Sequence, residues 1–262
     1  MACFLPFWAN AELIFSAPPR ESMQAGEKLY GPLAKHLSEL LGEKVVYQYP
    51  KNWLQYQRDL RKGVYDIVFD GPHFVSWRLA HLEHQVLVKL PGELEFVVVV
   101  KKDEKNLNKS DDLIGKRICA IPPPNLATLT VINLFNNPVR QPVIWGVKGG
   151  YSQVYKSFKK GTCVAAVFRT TFFEKKLSKA QRSQLRILHK SKGLPNQAIT
   201  VGKKIGLEDK RKIIRSLTLG KGKKAIESIA KRFGGEKSAF ITASQSEYKH
   251  QTELLEGVVF GW

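Results

Sequence analysis

Tyr65-Asp66-Ile67-Val68-Phe69-Asp70-Gly71-Pro72 is the stretch on which the fold turns. Residues 65–69 are β-branched and aromatic apart from one acid, and read as a short strand. Asp70-Gly71 breaks it, and Pro72 suits the first turn of a helix, where its missing N–H would have no partner anyway. A strand that passes through a tight turn into a helix is the building unit of α/β folds.

The same cadence runs upstream. Residues 12–16 read as a strand, and Pro18-Pro19 turns the chain. The spacing predicts a helix over 22–41, with Leu29, Leu33, Leu37, Leu40 and Leu41 on one face and Gly42 as its stop. Residues 45–49 form the next strand. Asn52 then caps a helix through Arg61 that carries Trp53, Tyr56 and Leu60 inward and closes at Gly63.

Downstream, residues 96–100 are a continuous apolar run expected to be buried on both faces. The polar stretch 101–109 changes the composition, and the chain is expected to cross into a second lobe there. Further units follow: a short helix capped by Ser110, a strand at 117–121, a Pro122-Pro123-Pro124 loop, a helix at 127–135, a strand at 143–145, a helix at 152–158 and a strand at 163–168. Residues 185–188 and 198–201 read as strands leading back. Ala225, Ile226, Ile229, Ala230 and Phe233 form a late amphipathic helix. The pattern predicts α/β architecture with doubly wound layers.

A length of 262 residues allows one large domain or two smaller lobes. Hydrophobic residues at 43% and charged residues at 25% exclude a disordered chain. No apolar run approaches a bilayer span. The formal net charge of +19 attracts polyanions in general and raises the local concentration of small anions, without choosing among them. None of the first eleven residues carries a side-chain charge. Phe4, Leu5, Phe7 and Trp8 followed by Ala9-Asn10-Ala11 match an apolar signal core with a small-x-small peptidase site. Residues 1–11 are therefore taken as an export remnant cleaved after Ala11, removing Cys3. A positively charged start is missing, so either the true start lies upstream of Met1 or the run is a first strand or apolar tail.

In order and spacing, several motifs resemble the substrate-binding proteins of phosphate, phosphite and phosphonate ABC importers (PhnD-like), members of the type II periplasmic binding-protein class. Residues 65–72 look like that family's strand and Gly-Pro turn, and Asp112-Leu113-Ile114-Gly115-Lys116-Arg117 is similar to its DLKGK. Gly149-Gly150-Tyr151 falls at its Gly-Gly-His, residues 161–167 at its GKVDAGAV, and Glu247-Tyr248 also fits. The resemblance implies two lobes with a cleft: residues 12–97 plus 190–262 as a discontinuous first lobe, and 98–189 as an inserted second lobe. It implies a periplasmic monomer that hinges shut on a small oxyanion and serves an ABC permease, with no catalysis and no cofactor. The chain also departs from the family. Leu126-Ala127-Thr128 replaces a Ser-Thr-Ser helix start, Tyr151 a histidine, Val164 an aspartate and Arg169 an acid. Arg169 favours a more negative ligand or an internal ion pair.

The candidate ligand-binding residues are Pro19, Arg20, Trp53, Asp70, His73 and Phe74 from the first lobe, and Thr128, Tyr151, Ser152, Arg169 and Thr170 from the second. Core packing is the alternative for Trp53 and Phe74, and helix capping for Asp70. Arg169 should directly follow a buried strand, where an unpaired guanidinium is costly.

His73, His81 and His84 lie at near-helical spacing but lack a carboxylate-rich loop, so no metal is assigned. There is no CxxC pair. Cys119 and Cys163 fall on neighbouring strands of a doubly wound lobe. They could form a disulfide, stay as buried thiols or bind a soft oxyanion such as arsenite, and buried thiols are preferred. Lysine-rich stretches without interleaved aromatics read as solvated faces, so no specific nucleic acid is expected. No nucleophile elbow, HExxH or phosphate loop occurs. The rival functions are a ligand-binding sensor for a membrane partner and a basic polyanion-binding protein.

Overall fold

A computed structural model describes residues 12–135, 137–234 and 239–256; the expected export remnant at 1–11 lies outside the described residues. The chain divides into two compact units. One comprises the residues up to Pro91 together with Asn196–Lys249, the other Gly92–Pro195 together with the residues from His250.

The first segment runs β1 (Leu13–Ser16), α1 (Met23–Leu41), β2 (Val45–Tyr47), α2 (Trp53–Arg61), β3 (Ile67–Asp70), α3 (Pro72–His81) and β4 (Gln85–Lys89). Local chemistry sets its boundaries. Ser22 accepts a hydrogen bond from the Ala25 N–H, and Gly42 ends α1 with φ +70°, a conformation that favours glycine. Asn52 accepts from the Gln55 N–H at the start of α2, and Pro72 occupies the first turn of α3.

The inserted segment carries β5 (Glu93–Leu94), β6 (Phe96–Lys101), β7 (Arg117–Ala120), α4 (Leu126–Phe135), β8 (Val143–Gly146), α5 (Tyr151–Lys159), β9 (Ala165–Arg169), α6 (Thr170–Lys176), α7 (Lys179–Ser183), β10 (Leu185–Lys190) and β11 (Leu194–Pro195). The return brings β12 (Ala198–Val201), α8 (Leu207–Thr218), α9 (Gly222–Ala225), α10 (Glu227–Gly234) and β13 (Ile241–Thr242).

In the first unit the strand order is β13-β4-β12-β3-β1-β2, with β1 parallel to both β2 and β3, and β12 antiparallel to β3 and β4. Phe15, Ile67, Phe69 and Ile199 form a core with Leu33, Leu37, Ile213, Leu217 and Ile229. In the second the order is β10-β6-β9-β7-β8, with β7 parallel to β8 and β9, and β6 antiparallel to β9 and β10. Helices cover both of its faces: Val98, Val100, Ile118 and Val167 pack with Leu126 and Val131, while Val97, Val99, Ala166 and Phe168 pack with Val154 and Phe158. The apolar run 96–100 is thus buried on both faces, as its composition requires.

Several expectations are corrected. The lobes expected from the sequence divide at 97/98 and 189/190 with 190–262 wholly in the first, whereas the two units divide at Pro91/Gly92 and Pro195/Asn196 and the chain re-enters the second unit at His250; β6 pairs within the second sheet. Lys109, not Ser110, is the N-cap of the short 3-10 turn, and the late helix is interrupted at Ile226 into α9 and α10. Cys119 and Cys163 are not free thiols: they form a disulfide between Cα atoms 5.6 Å apart, which also removes them as arsenite ligands. His81 and His84, to which no metal is assigned, pack against other side chains. His84 Nδ1 lies 3.3 Å from Thr200 Oγ1, and the His81 ring packs 4.7 Å from that of Trp77. Among the described residues no group of three His, Cys, Asp or Glu is placed to hold a metal, and no helix is long and apolar enough to cross a membrane.

Two stability measurements follow from this packing. The disulfide closes a loop with a sequence separation of 44, so Cys119→Ser/Cys163→Ser should lower the unfolding free energy by about 2–4 kcal/mol, measured by urea titration. His84 is pushed down to about 3 by burial, assisted by Arg78 and Lys210. Between the ordinary histidine range and that value the unfolded chain holds the extra proton, so stability should fall as pH drops from about 6.5. The contribution of this residue is about 1.4 kcal/mol per pH unit, and His84→Gln should remove that part of the slope in urea titrations at stepped pH.

Candidate functional site

Parallel strands joined through helices bring every helix N-terminus to the carboxyl edge of the sheet, where free N–H groups and the positive dipole end favour anions. In the first unit β1, β2 and β3 end at Ser16, Tyr47 and Asp70 and lead into α1, α2 and α3. Pro19 and Arg20 lie in the loop before α1, and Trp53 is the first residue of α2. The Arg20 guanidinium carbon lies 5.6 Å from the centroid of the Phe233 ring, and its Nη1 is buried without a hydrogen-bond partner. A Cβ on Gly71 would come within 2.9 Å of His73 Cε1 and 3.8 Å of Arg20 Nη2. The turn, His73 and Arg20 therefore share one small space, and glycine keeps it open. The Tyr30 hydroxyl is also buried there without a partner; burial raises its pKa to about 12, with Arg20 the main opposing charge.

Trp53 stacks on Phe74 with ring centroids 6.2 Å apart and planes 17° apart, and His73 packs 4.2 Å from the same ring. Phe74 and His73 are buried, so packing accounts for Phe74. Asp70 does not cap α3; Gly71 does. The Asp70 carboxylate, wholly buried at the end of β3, accepts two 2.7 Å hydrogen bonds from Arg78 Nη1 and Nη2 and another from the Tyr56 hydroxyl. Arg78 Nε donates to Thr200 Oγ1 at 3.0 Å. Asp70 is thus committed to an internal ion pair.

In the second unit β7, β8 and β9 end at Ala120, Gly146 and Arg169 and lead into α4, α5 and α6. Arg169 closes β9 and stands at the N-cap position of α6. Its Nε is buried without a partner, and burial draws its pKa below the usual arginine range. Tyr151 opens α5 behind Gly149 and Gly150, whose φ values of +90° and +83° require glycine-like freedom. Its ring lies 5.4 Å from Phe172 and 6.2 Å from Phe168. Burial pushes the Tyr151 hydroxyl up to about 12, against the nearby Arg169 charge and a hydrogen bond with the Asn125 side chain.

Thr128 is wholly buried and donates its hydroxyl to the Ile121 carbonyl at 2.5 Å. It can offer a ligand only lone pairs, which an anion does not want. Thr170 Oγ1 is buried and without a partner, while its N–H donates to the Glu95 carbonyl at 2.9 Å. Ser152 is exposed in the first turn of α5. Arg169, Tyr151, Ser152, Thr128 and Thr170 therefore share the carboxyl edge of one sheet, and Pro19, Arg20, Trp53 and His73 that of the other.

Tyr30, Phe233 and Asn125 were absent from the sequence-derived set. Tyr30 was legible in principle, one turn before Leu33 on the buried face of α1. Asn125, directly before an apolar helix, carried a capping signal, and its Oδ1 accepts from the Ala127 N–H at 3.1 Å. Phe233 reaches Arg20 only through the tertiary fold.

The family described as ABC transporter, phosphonate, periplasmic substrate-binding protein matches residues 15–248. No curated protein matches the sequence. Among solved structures, a Xanthomonas citri protein bound to chloride ion is similar with TM-score 0.71 at 14% identity, covering 93% of this chain and 95% of that one. PhnD1 from Prochlorococcus marinus in complex with methylphosphonate gives 0.63 at 17%, covering 93% and 96%. A binding protein component of an ABC phosphonate transporter from Pseudomonas aeruginosa gives 0.59 at 14%, covering 90% and 83%. The fold is the mixed α/β architecture of the type II periplasmic binding proteins.

If Asp70 is structural, removing it strands a buried guanidinium. Asp70→Ala should lower the unfolding free energy by about 3–5 kcal/mol in chemical denaturation, a loss far above that of an exposed binding residue.

Proposed function

Because the chain belongs to the phosphonate periplasmic substrate-binding family of ABC transporters, we propose that it captures a small, multiply charged oxyanion and delivers it to a membrane permease without chemically altering it. The observation that supports this most directly is Arg169. A guanidinium nitrogen without a partner is costly when buried. Here it stands at the end of a buried strand and the start of a helix, beside the Tyr151 hydroxyl. An oxyanion would supply the missing acceptor through charge-assisted hydrogen bonds, and guanidinium geometry matches two of its oxygens at once. Tyr151 stays protonated throughout the neutral range and can donate a further bond.

Arg20, with its unpartnered Nη1, offers the same chemistry in the first unit. Arg20, Trp53, His73, Tyr151, Ser152, Arg169 and Thr170 are the ligand-binding set in this reading; Pro19 shapes the loop, Asp70 and Phe74 support the set from behind, and Thr128 braces the start of α4. Arginine at position 169 selects a ligand more negative than one carrying a cationic group, which that side chain would repel. The protein works as an exported monomer whose two units hinge shut on the ligand.

Small-angle scattering with phosphate, phosphite, methylphosphonate and sulfate tests the reading. At least one anion should reduce the radius of gyration and raise the melting temperature. Arg169→Met should weaken that anion about 100-fold by calorimetry, with Arg169→Lys recovering part of the loss. No compaction and no thermal shift with any of the four would end the proposal. Native mass spectrometry of protein taken from its own periplasm identifies the natural ligand.

A further inference from the structure

α8 buries little of itself: Ile213 and Leu217 are its buried residues. On its exposed side Leu207, Arg211 and Arg215 follow at intervals of four within the helix, and the exposed Leu219 is the residue that caps its C-terminal end. The two leucines are 65% and 77% exposed, as open as Leu54 at 74% elsewhere, but here they flank basic side chains. The arginines between them form no ion pair among the described residues. Lys212, by contrast, is held by Asp209 at 2.9 Å and Glu208 at 3.5 Å, and Lys204 by Asp66 at 2.9 Å. From Lys203 to Lys224 every charged side chain other than Glu208 and Asp209 is basic. The acids of the segment are thus neutralised locally, and this side keeps a surplus of positive charge framed by apolar tips.

The α8 face lies away from the residues gathered at the carboxyl edges of the sheets, and what marks it is a run of basic side chains, unpaired among the described residues, flanked by exposed leucines. We propose that the α8–α9 face docks the protein on an anionic lipid bilayer, with Arg211, Arg215 and the α9 lysines Lys223 and Lys224 on the phosphate headgroups and Leu207 and Leu219 entering the acyl boundary. Charge complementarity selects the bilayer, because basic residues near an anionic surface each add attraction that decays within the screening length. The leucines set it apart from nucleic acid: they gain from a hydrocarbon layer and gain nothing from a phosphate backbone flanked by no stacking aromatics. Such docking would keep a receptor of net charge +19 at the membrane surface, where any permease it serves must lie.

The test is co-sedimentation of the purified chain with vesicles of phosphatidylglycerol and phosphatidylcholine in equal parts, and with pure phosphatidylcholine, at about 0.1 M salt, where charges are screened beyond about 10 Å. Binding is expected to the mixed vesicles alone. Arg211→Glu/Arg215→Glu should weaken it at least tenfold. Leu207→Ser/Leu219→Ser should weaken it severalfold and abolish what survives at high salt. Both variants lie on the surface and should melt like the parent. Undiminished sedimentation of the arginine variant overturns the proposal. So does leucine-independent binding that heparin or DNA matches, which would mark a general polyanion surface. No small anion enters the assay, so its outcome is independent of the ligand reading.

Discussion

The constraint that organises both units is the direction of parallel strands. Once β1, β2 and β3 run the same way, every link between them must cross the sheet, and a helix is the compact means of crossing. Each helix then begins where a strand ends. The same holds for β7, β8 and β9. Short loops and unbonded N–H groups therefore gather along one edge in each unit, whatever side chains the loops carry. Specific chemistry is added by the few residues standing there, and fold alone does not fix it.

Arginine is used in two opposite ways. Arg78 lies deep in the first unit, satisfied by Asp70 and Thr200, with Tyr56 supporting the same carboxylate. That cluster ties the end of β3 to α3 and to β12, fixing the turn at Gly71-Pro72. Arg20 and Arg169 instead each keep a buried nitrogen without an acceptor. A closed network confers rigidity, whereas an unpaired buried polar group is costly. The contrast separates a guanidinium committed to its neighbours from two that are not.

Much of this architecture could be read from local signals. Gly42, Asn52 and Pro72 mark helix ends by chemistry acting over a few residues, and the structure places them as a stop, a cap and a first-turn proline, while Ser22, read as the first helical residue, is the N-cap of α1. The unit boundary was less legible. A strand buried on both faces looks the same whichever sheet it joins, so β6 gave no sign that it pairs with β9 and β10. Asp70 misled for a related reason: an acid before Gly-Pro suits a capping role, and nothing local reveals an arginine aimed back at it from the far end of α3. The place of Arg169 at the end of a buried strand was legible from the apolar run directly before it. Cys119 and Cys163 were recognised as neighbours, but adjacency alone did not distinguish thiols from a bond.

The path of the carboxyl-terminal segment has a consequence for inheritance and engineering. Glu247 pairs with Lys89, and Tyr248 donates to the Asn196 carbonyl at 2.5 Å, so the chain is anchored in the first unit up to that point. From His250 it joins the second unit, where Leu254 packs against the core that includes Leu126 and Val131. The inserted unit is therefore encoded in two separated stretches. Recombination that swapped Gly92–Pro195 alone between relatives would deliver a body missing part of its own wall. A viable chimera must carry the distal stretch as well, so the two pieces are bound to evolve as one.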